Sequence, residues 1–417
     1  MMIKNVLFLL LLIQTVASCQ PPNNNNIPSG ESYDPPNSTD TRTKPIDFQH
    51  RKTFKVKDIY VSNEFYGARL SDIKLDSEVE NGLIATISPE NAPINQSSWY
   101  AFRIWSDSKQ EVTIKLVYPN GKHRYYPKLS IDGTNWKKIE SFNYKNNRKE
   151  ETADITLKIG PLPLWVAAQE LRTTKDVFHW MDSLEAFPHI YGDTVGYSRL
   201  GKPLRALRIA ENNSSNVIIA MTRQHPPETT GQLAFDAFIE TILDSNNLAN
   251  RFRQHFQIYA FPMVNPDGVD QGHWRHNAGG IDLNRDWWEF RQPEIKYITE
   301  YLTGNLLNDS TKVWYGFDFH STGSDILYPI SNEIVPDDVS ITKLWIDNMK
   351  IRLPNDEWKI EPFDISSPIS KNWIYRTFNA EAITYEVGDS VSKDYVKLKA
   401  RIAAEEMMRI LLTKIGQ

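Results

Sequence analysis

A single cysteine, Cys19, is all that the 417 residues contain, so no disulfide can form within the chain. Excess charge is also scarce. The formal net charge is −5 and no basic block stands out, which argues against a nucleic-acid partner. Beyond the first residues, no apolar run approaches the roughly 20 residues that a membrane-spanning helix needs, and no internal repeat period is visible. What remains is a chain with 40% hydrophobic residues and room for roughly two to three domains with proper cores.

Residues 1–18 carry one lysine, Lys4, followed by the apolar stretch Val6 to Val16, which is too short for a mature span and reads as a signal peptide. Val16-Ala17-Ser18-Cys19 resembles the bacterial lipoprotein box. That resemblance implies lipidation of Cys19, anchoring in a membrane, and a place in the cell envelope. Residues 19–50 are dominated by the Asn-, Pro-, Ser- and Thr-rich run Gln20 to Pro45, which cannot bury enough apolar surface to fold and reads as a flexible tether.

Residues 51–165 alternate in short runs such as Tyr100 to Trp105, Val112 to Tyr118 and Ile155 to Ile159, separated by the turn signals Pro119-Asn120-Gly121 and Asp132-Gly133. This pattern predicts a β-sandwich domain. Its aromatics Tyr125, Tyr126 and Trp136 are assigned to packing rather than to a glycan platform, and Lys122-His123-Arg124 to a solvated turn.

The chemistry lies further on. His225-Pro226-Pro227-Glu228, followed far downstream by His320 in Asp318-Phe319-His320-Ser321, supplies two imidazoles and one carboxylate. Three such ligands suit a catalytic zinc ion with an open position for water, and so hydrolysis. Nitrogen and carboxylate donors favour zinc, although cobalt or manganese also binds such sets. Between the two halves runs a glycine-punctuated loop, from Asn265-Pro266-Asp267-Gly268 through His273-Trp274-Arg275-His276 to Gly280-Ile281-Asp282-Leu283-Asn284-Arg285. Its guanidinium and amide donors suit a substrate carboxylate. His273 and His276 have no carboxylate at metal-site spacing and are expected to be exposed.

The ordered set of His225, Glu228, Arg275, Asn284-Arg285, His320 and Glu386, over roughly residues 170 to 417, resembles the zinc metallocarboxypeptidases. The runs Arg223 to Thr229, Asn265 to Val269 and Asp282 to Trp287 look closest to the cytosolic-carboxypeptidase branch, and the sandwich, through Trp99 to Phe102 and Lys122 to Trp136, resembles that branch's amino-terminal domain. The resemblance implies one zinc per chain on His225, Glu228 and His320, with Arg275 on the scissile carbonyl. It also implies Asn284 and Arg285 on the terminal carboxylate of a peptide, and Glu386 as general base. Trp373 stands thirteen residues before Glu386, the family's separation for its pocket tryptophan, which puts Lys371 where the terminal side chain is selected and favours acidic residues. The mobile tyrosine of digestive relatives has no counterpart: Asp364 occupies its place, and Tyr375 reads as structural.

Val217 to Met221 is expected to be a buried parallel strand with the zinc pair in the loop at its carboxyl end, and Gln232 to Leu243 a helix. Phe256 to Val264, Val313 to Phe319 and Ala382 to Val387 read as further strands, and Gln292 to Leu307, Ser340 to Arg352 and Lys397 to Lys414 as helices. The predicted architecture is an α/β fold: a three-layer α/β/α carboxypeptidase-like domain with a mixed sheet over 170–417, preceded by the sandwich. Two other functions share these features. A zinc amidohydrolase acting on cell-wall peptides would use the same residues, and an inactive peptide- or glycan-binding lipoprotein would use the sandwich alone.

Overall fold

Alternation along the strands Gln110–Val117 and Thr152–Ile159 points Val112, Ile114, Leu116, Ile155 and Leu157 inward, where they are buried, while their neighbours face out. In the antiparallel register Ile114 lies opposite Ile155 and Val112 opposite Leu157. These strands belong to a five-stranded sheet that faces a six-stranded one built around Ala101–Ser106 and Leu164–Ala167, and Phe102 and Ile104 join the shared core. The computed structural model describes Thr41 and residues 44–95, 97–363 and 365–417. The expected signal segment, Cys19, most of the tether and Asp364 lie outside the described residues. Residues 44–50, read as the end of the tether, include Gln49, whose amide donates to the Gln271 carbonyl at 3.1 Å.

The second part is a seven-stranded mixed sheet. Its order is Ile190–Tyr197, Pro203–Ile209, Gln257–Phe261, Asn216–Thr222, Lys312–Thr322, Glu381–Gly388 and Ile326–Tyr328. The four strands from Gln257–Phe261 to Glu381–Gly388 are parallel, and the outer pairings are antiparallel. Asn216–Thr222 is covered on both faces. Ile218 and Ala220 pack towards the helices Thr229–Ile242, Ile341–Arg352 and Lys393–Lys414, while Val217, Ile219 and Met221 pack towards Pro293–Leu306 and Ser370–Phe378. A strand buried on both sides reads as an unbroken apolar run, which is why Val217 to Met221 is legible in the sequence. Among the described residues, no helix is long and apolar enough to cross a membrane.

Strand order sets up the site. Asn216–Thr222 pairs in parallel with Gln257–Phe261 on one side and Lys312–Thr322 on the other, so the loops that follow all three strands gather at one end of the sheet, where open α/β sheets bind their ligands. Thr222 lies opposite Phe319, placing the His225 loop beside His320. Arg223, at φ 58°, turns the chain out of the strand, a strained conformation for a residue with a side chain. Its guanidinium holds the turn by donating to the Pro226 carbonyl at 2.9 Å and the Arg172 carbonyl at 3.1 Å.

The helix Thr229–Ile242 then crosses the histidine strand, with the rings of Phe238 and Phe317 4.7 Å apart and those of Phe235 and Phe319 5.8 Å apart. Gly231 permits the close approach, because a Cβ there would stand 2.5 Å from the His320 carbonyl oxygen. Backbone cannot yield as a flexible side chain does. Gly231→Ala is therefore expected to lower stability by about 1–3 kcal/mol, in the range of overpacked cores, and to weaken metal retention by displacing His320. Denaturant unfolding together with metal analysis of the purified variant checks this.

Candidate metal centre and cleft

Three Lewis-basic side chains meet at the carboxyl end of the central strands. Glu228, which caps the helix Thr229–Ile242, lies with Oε1 2.8 Å from His225 Nδ1 and Oε2 2.8 Å from His320 Nδ1, and the two Nδ1 atoms are 3.2 Å apart. All three residues are buried. Among the described residues they form a potential metal-binding site, with one ligand atom from each lying within 4.8 Å of the others.

The outer nitrogens show which charge the site expects. His225 Nε2 is 2.9 Å from Asp282 Oδ1, and His320 Nε2 is 2.8 Å from Asp318 Oδ2. A carboxylate on the far nitrogen keeps the proton there and turns the Nδ1 lone pair inward, the arrangement that orients histidine on a metal. Two inward lone pairs and a carboxylate this close repel one another unless they share a cation. The Nδ1 separation matches the about 3.3 Å expected of two ligands on one tetrahedral zinc ion, so the residues present fit the metal.

The electrostatics agree. Burial alone would raise the Glu228 carboxyl, but His225 and His320 hold it well below the usual range. Burial opposes charge on His320 too, yet Asp318 and Glu228 outweigh it and raise the imidazole well above its ordinary value. A pocket this hungry for positive charge suits a divalent ion.

The outer carboxylates are themselves held. Asp318 accepts from Gln224 Nε2 at 2.7 Å and from the Ser370 hydroxyl. Asp282 accepts from Arg275 Nε at 2.7 Å, and although burial alone would raise it, Arg275 and His225 keep its carboxyl well below the usual range. The sequence reading missed both. Asp318 was accessible from strand alternation, since it shares a face with His320 two residues on. Asp282 sits in a loop, where no periodicity points to a partner.

The metal residues open onto a cavity of about 320 Å³ lined by every predicted catalytic and substrate-binding residue: Arg275, Asn284, Arg285, Lys371 and Glu386. Glu386 lies on the strand Glu381–Gly388 directly opposite His320 in parallel register. Its Oε2 has no hydrogen-bond partner among the described residues, and burial, then the Glu228 carboxylate, push its pKa up to about 7. Asn284 Oδ1 accepts from the Ser370 amide at 3.0 Å, and Arg285 Nη1 donates to the Asn284 carbonyl at 2.7 Å. Lys371, at the start of the helix Ser370–Phe378, is 1% exposed and donates to the Pro329 carbonyl at 2.8 Å.

Two expectations are corrected here. His273 and His276 are not exposed but buried, because the loop that carries them is pressed against the sandwich: His276 Nδ1 is 2.6 Å from Asn91 Oδ1. Of Lys122-His123-Arg124, expected as a solvated turn, only Lys122 is exposed. His123 is buried between Tyr118 and Tyr144, and Arg124 reaches the cleft, donating to Asp389 at 2.9 Å and to the Ser97 hydroxyl at 2.8 Å. Local sequence cannot show that a turn of one domain faces the active cleft of another. Tyr125 is buried and Tyr126 and Trp136 are partly so, as packing requires. A phenol does line the cleft, but it is Tyr328, on the edge strand paired to the Glu386 strand.

Asp318→Asn should leave the fold intact while weakening zinc binding about 10–100-fold, the usual effect of losing such an outer partner. Competition against a chromophoric chelator measures it.

The family model described as zinc carboxypeptidase matches residues 177–410. An uncharacterized protein of Zymomonas mobilis is 27% identical over 249 residues, covering 54% of this chain and 60% of that one. Cytosolic carboxypeptidase 6 of Mus musculus is 26% identical over 154 residues, covering 34% of this chain and 28% of that one, so the chain spans less than two thirds of either relative. A metallo-carboxypeptidase structure from Burkholderia cenocepacia superposes with a TM-score of 0.69 at 16% identity, covering 86% of this chain and 99% of that one, a likeness of fold that includes the strand-rich amino-terminal part. With the family match running over more than half of its length, and with its ligand triad inside that match, the chain belongs to the zinc carboxypeptidases.

Proposed function

We propose that this protein removes single residues from the carboxyl termini of peptides, with a preference for acidic terminal residues. The observation that carries the reading is the cavity itself, in which the His225, Glu228 and His320 triad, an unpartnered carboxylate oxygen on Glu386 and four cationic side chains face one space.

His225, Glu228 and His320 would hold a zinc ion, which when bound supplies Lewis-acid polarisation and a lowered pKa for water. Asn284 and Arg285 bind the substrate's terminal carboxylate, the guanidinium fork matching its two oxygens. That interaction makes the reaction an exopeptidase one, since an internal peptide bond brings no carboxylate to the site. Arg275, oriented by Asp282, donates to the scissile carbonyl oxygen as negative charge builds on it. Glu386 takes a proton from the attacking water and returns one to the leaving amine. Its raised pKa suits both steps, because a carboxyl near neutrality accepts and releases protons with little penalty.

Specificity rests on Lys371. Its ammonium lies on the cleft wall beside Phe363, 5.6 Å from the ring centroid, and is almost fully buried. A terminal Glu or Asp carboxylate would add its charge beside an ammonium that already donates to the Pro329 carbonyl and is removed from water, where the attraction is stronger than at the surface.

A mixed peptide library incubated with the purified soluble part and read by mass spectrometry tests this reading. Chelator should abolish all carboxyl-terminal losses. Lys371→Ala should cut the rate for Glu- and Asp-ending peptides by about 10–100-fold and spare neutral ones, and equal loss across both classes would sink the acidic preference. Glu386→Gln should keep its zinc and lose about 10²–10⁴-fold in turnover.

The proposed workplace is the cell envelope, through lipidation of Cys19, with the Asn- and Pro-rich segment after it as tether. Support comes from Val16-Ala17-Ser18-Cys19 after an apolar core and from the absence of any other cysteine in the sequence. Radiolabelled fatty acid should enter the wild-type protein and not Cys19→Ser. Label in both would dismiss the anchor.

A further inference from the structure

The loop that carries Arg275 is held by the sandwich as well as by its own domain, where Arg275 Nε donates to Asp282 and Asn277 Nδ2 to Gln292 and Glu294. Trp274 is fully buried as a member of the sandwich core, edge-on to Tyr118 at 6.3 Å. Around it, three successive backbone amides converge on one side chain, Glu90, in the sandwich loop between Gly82–Thr86 and Ala101–Ser106. The Trp274 amide donates to Oε2 at 2.7 Å, and the Arg275 and His276 amides donate to Oε1 at 2.9 and 2.6 Å. The next residue, Asn91, accepts through its side-chain Oδ1 from His276 Nδ1 at 2.6 Å.

Three donors on two oxygens need an ionised carboxylate. A glutamine could offer only one oxygen and would turn its own N–H groups towards an amide donor, leaving buried hydrogens unpaired. Glu90 is fully buried, and Arg69, also buried, supplies balancing charge within electrostatic reach. Burying a carboxylate is unfavourable unless hydrogen bonds and charge compensate it, so its presence 184 to 186 residues away in sequence from the amides it grips calls for a purpose.

We infer that Glu90 is a positioning residue: by fixing the backbone at 274–276 it aims the Arg275 guanidinium at Asp282 and the cleft, so that the reaction depends on the amino-terminal sandwich. The inference rests on the reading of Arg275 as the donor to the scissile carbonyl. Displacements of about 1 Å at such a donor are enough to lose much of its effect, since its value lies in being pre-aimed.

The test is a double-mutant cycle on the full-length protein, with kcat, KM, zinc content and amide exchange at 274–276 measured for each variant. Glu90→Gln should lower kcat about tenfold or more, leave KM within about twofold, keep zinc near one per chain and speed exchange of the three amides. Combined with Arg275→Ala, it should cause no further loss, because an arginine that is absent cannot be misaimed. A general weakening of the fold would instead multiply through both backgrounds, and that additive result overturns the inference, as does unchanged kcat in Glu90→Gln. Should Arg275→Ala itself turn over at the wild-type rate, the arginine's role fails and the inference with it. If Glu90→Gln does not fold, Asn91→Ala loosens the same loop with Glu90 in place, and the same dependence on Arg275 decides the matter.

Discussion

The pairing of two central parallel strands, Asn216–Thr222 and Lys312–Thr322, regular from Ile218 to Thr222, is the contact on which the rest of the molecule depends. With Thr222 opposite Phe319, the loop that leaves the first strand and the last turn of the second arrive at the same point in space. A slip of one residue would send His320 to the opposite face of the sheet and dismantle the ligand set. Packing guards against that slip. The Phe235 and Phe238 rings lie on Phe319 and Phe317, Gly231 touches the His320 backbone, and the Thr230 hydroxyl and Gly231 amide both donate to the Ser321 hydroxyl. Registry and metal chemistry are one constraint seen from two sides.

Around that contact, charge is arranged in layers. Inner lone pairs face each other across less than 3.5 Å, outer carboxylates hold the far nitrogens, and those carboxylates are in turn bound by Arg275, Gln224 and Ser370. Each layer restricts the one inside it, so the carboxylates on the far nitrogens orient both imidazole rings towards the metal position. Glu386 stands outside this network, on the neighbouring strand. Its Oε2 has no hydrogen-bond partner among the described residues, and its raised pKa suits the proposed role as proton carrier.

The sandwich takes part in the cleft. Arg124 and Ser97 line it, Trp274 is anchored in the sandwich core, and Glu90 grips the amides on either side of Arg275. This explains why the two parts form one compact unit among the described residues, since an interface that carries a buried carboxylate and a buried tryptophan cannot open without exposing both to unfavourable surroundings.

Much of the site was legible from the sequence because its residues sit at the ends of regular elements. Val217 to Met221 reads as a strand, His225-Pro226-Pro227-Glu228 follows it at once, and Glu386 lies in an alternating run, so periodicity places them on elements while the family resemblance singles them out. His273, His276 and Arg124 were misjudged for one reason: they lie in loops and turns, where burial depends on whatever another part of the chain places against them. The sequence by itself determined the element types, because these follow from short-range pattern, and, through its resemblance to the zinc carboxypeptidases, the candidate ligands and their order along the chain. Only the tertiary structure decided which carboxylates back the histidines, that a turn of the sandwich reaches the cleft, and that Glu90 holds the Arg275 loop. Those contacts join residues far apart in the chain, and no local periodicity records them.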